Sequence, residues 1–174
     1  MDRGNAKQAI EYLRSAIRLR PEFSAAHNTL GYALEQSNVA DTAEKHYRRA
    51  IDAWPDNALA HNNLGRFLKR KSDYDEAIDH LTIAVELTPT NGAVHEMLGN
   101  ALNAAGRPGE AEKHYREVTR LWPDSGLAFS NLGAVLASQG QFEEAIRMFR
   151  QALKIDPSDT SARMNLTKAQ QQQK

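Results

Sequence analysis

The sequence predicts an all-α solenoid of helix pairs, and three observations predict it. Pro21, Pro55, Pro89, Pro123 and Pro157 each follow the last by 34 residues, as in 55 − 21, a fixed period of the length at which structural repeats stack. Within each period the apolar residues recur at helical rather than strand spacing. A glycine occupies one register in every full period, Gly31, Gly65, Gly99 and Gly133. In mid-helix it costs about 1 kcal/mol against alanine, which a fold tolerates where close approach of a partner helix is gained.

The elements follow in order. Residues 1–23 read as the second helix of a truncated first repeat: Ala9, Ile10, Leu13, Ala16 and Ile17 form one stripe, and Pro21 turns Arg20 away from helix. Residues 24–57 form a hairpin, with Leu30, Gly31 and Leu34 on the first helix, a turn near Ser37 and Asn38, and Ala43, Tyr47, Ala50 and Ile51 on the second. Residues 58–91 repeat it with Leu64, Gly65, Leu68, then Ala77, Leu81, Ala84, Val85. Residues 92–125 do so with Leu98, Gly99, Leu102, then Ala111, Tyr115, Val118. Residues 126–159 follow with Leu132, Gly133, Leu136, then Ala145, Phe149, Ala152. Residues 160–174 begin as another first helix but carry Thr167 for the glycine and end in glutamines, the polar face of a capping helix. The alanines Ala43, Ala77, Ala111 and Ala145 are expected opposite the glycines. No single pair buries its apolar stripe alone, so each hairpin leans on the next.

This pattern resembles the tetratricopeptide repeat family, whose W-x2-L-G-x2-Y, A-x3-F and P positions are matched by Leu64, Gly65, Ala77, Leu81, Pro89 and their equivalents. His27, His61, His95 and Phe129 stand at the first aromatic position, and Leu34, Leu68, Leu102 and Leu136 at the tyrosine. The resemblance implies a right-handed superhelix whose first helices line a concave groove for an extended peptide or partner helix. Carried over by position, the partner-binding residues are Asn28, Tyr32, Asn62, Asn63, Arg66, Lys69, Arg70, Met97, Asn100, Asn131 and Asn165, and Glu35, Glu96 and Ser130 share their face. Carboxamides offer donor and acceptor together and so suit a peptide backbone whatever its side chains. Asn63, Asn131 and Asn165 look like the asparagine ladder of the repeat domain of O-linked N-acetylglucosamine transferases, with Thr29 and Met97 interrupting it. The two-carboxylate clamp of chaperone-binding relatives is absent except for Asn63.

Composition excludes other classes. Lys+Arg and Asp+Glu both number 22, so no global basic field draws nucleic acid. There is no cysteine, hence no disulfide and no thiolate metal site. No apolar run approaches the roughly 20 residues of a membrane span, and residues 1–18 lack the apolar region of a signal peptide, so a cytoplasmic protein without membrane insertion is expected. No nucleophile elbow, phosphate-cradling glycine loop or HExxH motif occurs, so neither an enzyme nor a cofactor is expected.

The histidines form two ladders, His27/His61/His95 and His46/His80/His114. Equivalent residues of neighbouring repeats stand at least about 8–10 Å apart, whereas zinc ligands lie about 2 Å from the ion, so no metal is expected. The first ladder reads as packing at the aromatic position and the second as flanking the Tyr47/Leu81/Tyr115 core position. Arg66, Lys69, Arg70 and Lys71 form the one dense basic cluster, able to take a carboxylate or phosphate or to be a solvated face. The hairpin 58–91, which joins it to Asn62 and Asn63, is the expected centre of binding. Trp54 and Trp122, just before prolines, read either as contact residues for a neighbouring domain or as packing over the next first helix. The expected function is a protein-interaction scaffold. The alternative is a recruiting or assembly domain cut from a larger enzyme such as a glycosyltransferase, which a start in mid-repeat suggests. Self-association through the uncovered apolar side of the first helix is a further expectation.

Overall fold

The computed structural model describes residues 3–37 and 39–173, with side chains from Lys7 onward other than that of Asp41. Asn38, placed by the sequence in a turn, lies outside them. Among the described residues there are ten helices and no strand. They form two compact units, Met1–Thr88 and Pro89–Lys174. The first holds α1 (Arg3–Leu19), α2 (Ser24–Gln36), α3 (Ala40–Ala53), α4 (Ala58–Arg70) and α5 (Tyr74–Leu87). The second holds α6 (Gly92–Ala104), α7 (Pro108–Leu121), α8 (Gly126–Ser138), α9 (Phe142–Ile155) and α10 (Thr160–Gln172). Even-numbered helices are first helices of hairpins; odd-numbered ones are second helices.

Local chemistry explains where helices begin and end. Four first helices start at a side-chain cap: Asn57 accepts from the Ala60 amide, Asn91 from Ala93, Ser125 from Ala128 and Asp159 from Ala162. Each satisfies an amide that the helix start leaves without a partner. The turns inside three hairpins share one solution. Asp73, Arg107 and Gln141 donate their amides to Leu68, Leu102 and Leu136, and the preceding residue donates to Lys69, Asn103 and Ala137. This paired bonding is the Schellman motif, which needs a left-handed residue. Gly106 and Gly140 supply it at φ 75° and 76°, but Ser72 adopts φ 66° with a Cβ in place.

The helix crossing is closer than the pattern implies. A methyl group on Gly65 would stand 2.6 Å from Leu81 Cγ and 3.0 Å from the Ala77 carbonyl oxygen. The glycine is therefore covered chiefly by the large side chain four residues after the alanine. Small residues lie opposite through their backbone rather than their methyl groups.

In the first unit the core runs through Leu30, Leu34, Tyr47, Leu64, Phe67 and Leu68, with Ile10, Leu13 and Ile17 of α1 packed against it. The Tyr47 and Phe67 rings meet edge-on at 6.1 Å, joining one hairpin to the next. In each unit neighbouring helices pack in chain order, and first helices also touch directly, α2 with α4 and α8 with α10. Second helices are braced by longer side chains. Arg48 of α3 bonds Glu44 and, at 2.6 Å, Glu76 of α5; Arg116 of α7 bonds Glu112 and, at 2.9 Å, Glu144 of α9. Short contacts on one side and long ones on the other make the first-helix face the inner face of each unit.

Candidate functional site

On the first-helix face of the first unit, the candidate residues are largely occupied with one another. Asn63 donates its side-chain amide to Asn28 Oδ1 at 2.9 Å, stapling α4 to α2, and Asn28 is buried. Arg66 donates to Glu35 Oε2 at 2.8 Å, and Arg70 bonds Oε1 of the same carboxylate. Glu35, which the sequence placed on the open face, has a side chain only 1% exposed. Its Oε2 also accepts from the Tyr47 hydroxyl at 2.6 Å. Burial and then that bond push the Tyr47 phenol far above its ordinary range. Lys71 bonds Glu44 at 2.9 Å. Three of the four cations of the dense basic cluster thus share two carboxylates, and its two guanidiniums hold the preceding hairpin. Tyr32 remains exposed, with the Arg66 guanidinium 5.7 Å above its ring. Lys69 is half-buried, and Asn62 Oδ1 is buried without a hydrogen-bond partner among the described residues.

The second unit treats the same register differently. Asn131 donates to Glu96 Oε1 at 3.2 Å, the counterpart of the Asn28–Asn63 staple. Asn100 accepts from the Tyr115 hydroxyl at 2.8 Å, where burial pushes the phenol up to about 12. Met97 is half-buried on α6. Between α8 and α10 lies a cavity of about 500 Å³, lined by Ser130, Asn131, Ala134 and Asn165 together with Asp156 and Asp159. Asn131 and Asn165, predicted from the sequence, meet there. Ser130, which the sequence placed on the same face, is buried and lines the cavity with them.

The two histidine ladders are one set of pairs within hairpins. His27 and His46 place their Nδ1 atoms 2.9 Å apart, His61 and His80 3.0 Å, His95 and His114 3.1 Å. The Nε2 atoms of His27, His61 and His95 lie 2.9, 2.9 and 3.0 Å from the carbonyl oxygens of Pro21, Pro55 and Pro89. A carbonyl only accepts, so each Nε2 carries the proton and each facing Nδ1 is an acceptor. His46, His80 and His114 must then donate from Nδ1. Burial, and next the facing imidazole, hold these three below the ordinary histidine range. A proton already fills the space between each pair of nitrogens. Among the described residues no group of three or more histidines, cysteines or carboxylates stands together to hold a metal. The signal available in the sequence was that both ladders end together, at Phe129 and Met148.

Trp122 packs back over the first turn of its own hairpin: a methyl group on Gly92 would meet its Cε2 at 2.7 Å. It shields the start of α6, and both tryptophans keep an exposed edge. Among the described residues no helix is long and apolar enough to cross a membrane.

Helical hairpins with glycine crossings, a ladder of side-chain staples and a polar inner face define a helical-repeat scaffold. Tetratricopeptide repeat models match residues 1–41, 35–92 and 91–158. The chain belongs to the tetratricopeptide repeat family, whose repeats build protein-interaction scaffolds. Among solved structures, YrrB, described as a TPR protein with an unusual peptide-binding site, is similar at 24% identity and a TM-score of 0.86, over 94% of this chain and 84% of that one. MamA is similar at 20% identity and 0.82, over 88% of this chain and 90% of that one. PilF of Pseudomonas aeruginosa is similar at 24% and 0.82, over 98% and 79%. These likenesses concern the fold. No curated protein matches the chain by sequence.

Proposed function

We propose that the chain is a scaffold that holds an extended peptide or a helix of a partner protein on its first-helix face, with the second unit supplying the main seat. The observation that carries this reading is the cavity between α8 and α10, where the Ser130 hydroxyl and the Asn165 carboxamide make no hydrogen bond among the described residues. Asn131 spends one amide hydrogen on Glu96 and keeps its carbonyl oxygen. Together these groups match the alternating donors and acceptors of a peptide backbone. The described peptide-binding character of YrrB, which shares the fold, supports the same reading. In the first unit Tyr32 and Lys69 are what this face offers, since Asn28, Asn63, Arg66 and Arg70 are engaged with one another or with Glu35.

Selection of a displayed random-peptide library on the intact chain tests this. Selected peptides should lose about tenfold or more in affinity when Asn131 and Asn165 are both changed to alanine, as two backbone-directed bonds of about 1 kcal/mol each would require. Undiminished binding by the folded double variant would overturn it.

A further inference from the structure

We propose that the cavity between α8 and α10 takes the side chain of a lysine or arginine from an extended peptide; the proposal rests on the peptide-binding reading above. Its starting point is a missing staple. Residues 35 apart on successive first helices, Asn28 with Asn63 and Glu96 with Asn131, are hydrogen-bonded across the hairpins. Ser130 and Asn165 share this spacing, 165 − 130 = 35, yet make no such bond. Serine is shorter than asparagine or glutamate by the atoms that would reach.

The consequence is a hydroxyl at the cavity wall with no partner among the described residues. Ser130 is only 7% exposed, its hydroxyl has no hydrogen-bond partner among the described residues, and it lines the 500 Å³ cavity with Asn165. The hydroxyl is reached through the cavity, so a ligand that displaces solvent there must offer it a hydrogen bond in exchange.

The charge of the lining selects the occupant. Asp156 and Asp159 face the cavity, and no lysine, arginine or histidine is among its lining residues. Asp156 Oδ1 accepts from the Ser158 amide and hydroxyl, and Asp159 Oδ1 from the Ala162 amide, leaving the second oxygen of each carboxylate open. The Ser158 hydroxyl and amide bonds hold Asp156 below the ordinary carboxylate range, so it is an anion at neutral pH. The partial positive charge at the start of α10 is already met by the Asp159 cap. An anionic ligand would face both carboxylates, whereas an ammonium or guanidinium supplies the donors they lack. Leu127, 61% exposed at the rim, offers an apolar seat for the side chain's methylenes.

The test uses short blocked peptides of glycine, serine and alanine with one central lysine, arginine, glutamate or norleucine, titrated by NMR into the whole chain. The lysine and arginine peptides should shift the amides of residues 156–165 and bind roughly two- to thirtyfold more tightly than the norleucine peptide, the range for two exposed ion pairs. The glutamate peptide should bind most weakly. Asp156→Asn with Asp159→Asn should abolish the preference for lysine and arginine over norleucine, with asparagine at 159 keeping the helix cap. Ser130→Asn, which rebuilds the staple, should weaken all the peptides. Equal binding of lysine and norleucine peptides, or a preference that survives the Asp variants, overturns this proposal and leaves the groove reading standing. Absence of binding by every peptide overturns both.

Discussion

The two units have one architecture and opposite inner faces. In the first, Glu35, Arg66 and Arg70 form a buried carboxylate held by two guanidiniums. Two periods later the same positions are Asn103, Ala134 and Ser138. The long side chains that close the first unit's face are replaced by short ones, and the cavity of the second opens beside Ala134. The array thus divides labour between hairpins that lock and hairpins that leave room, while the glycine crossings and second-helix braces stay the same in both.

The largest effect should come from unlocking the first unit. Glu35→Ala strips the acceptor from Tyr47 and leaves two arginines uncompensated. Removing one partner of a buried pair costs about 3–5 kcal/mol, and Arg70, 56% exposed, recovers part of that from water. A loss of about 2–3 kcal/mol in urea unfolding is expected. Asn103→Ala, at the matching exposed position, should stay within about 0.5 kcal/mol. Equal losses at both sites would refute the contrast between a locking and an open unit.

Next come the crossings, which sharpen the comparison by asking what the units share. A methyl on Gly65 would meet Leu81 at 2.6 Å and the Ala77 carbonyl at 3.0 Å, whereas on Gly99 it would meet the Tyr115 ring at 3.2 Å. Overpacking costs about 1–3 kcal/mol and alanine returns about 1 kcal/mol of helix propensity. Gly65→Ala should therefore destabilise by about 1–2 kcal/mol and Gly99→Ala by close to nothing, both read from thermal or urea unfolding.

These positions also mark what the sequence could convey. The period, the hairpins and the crossing glycines were legible because each rests on local spacing, which helix geometry turns directly into a face. Glu35 was misplaced on the open face because its partners lie 31 and 35 residues ahead. Position on a helix shows which way a side chain points, but not what reaches across to cover it. Arg66 and Arg70 looked like a free basic patch for the same reason. The histidine pairs were hidden by their own regularity: comparison between repeats draws the eye along each ladder, while the bonds run between ladders, 19 residues apart. The cavity was half legible. Asn131 and Asn165 follow from position, but Ser130 matters for a bond it fails to make, and the reach of a side chain across a gap is not written in helical spacing.

Smaller still is the strain at one turn. Ser72 holds a left-handed φ of 66° where the second unit uses Gly106 and Gly140. Ser72→Gly should stabilise the first unit by up to about 1 kcal/mol, since the left-handed conformation penalises a Cβ. Gly106→Ser should cost a similar amount. Differential scanning calorimetry of the two variants would show whether one turn serves both units.

Acid should separate the hairpins most finely. His46, His80 and His114 are held below their ordinary value of 6.5 by burial and the facing imidazole. The unfolded chain then binds more protons than the folded one below that value, so their contribution to stability is full above pH 6.5 and falls as pH drops toward the folded value. Other groups grade the response. His80 has Glu76 and Asp79 to welcome a proton and Arg48 to oppose it, His114 has Glu110 against Lys113, and His46 has only Arg14 beside its partner His27. Between pH 7.5 and 6.0 each of these three histidines can remove at most about 0.8 kcal/mol. The hairpin of α8 and α9, with Phe129 and Met148 in place of a pair, loses nothing by this route. Amide hydrogen exchange corrected for its intrinsic pH dependence should show protection falling at pH 6.0 in α2 to α7 and holding in α8 and α9. Replacing His95 with phenylalanine and His114 with methionine should extend that resistance to α6 and α7. An unchanged response there would mean that the paired imidazoles are not the acid-sensitive contacts.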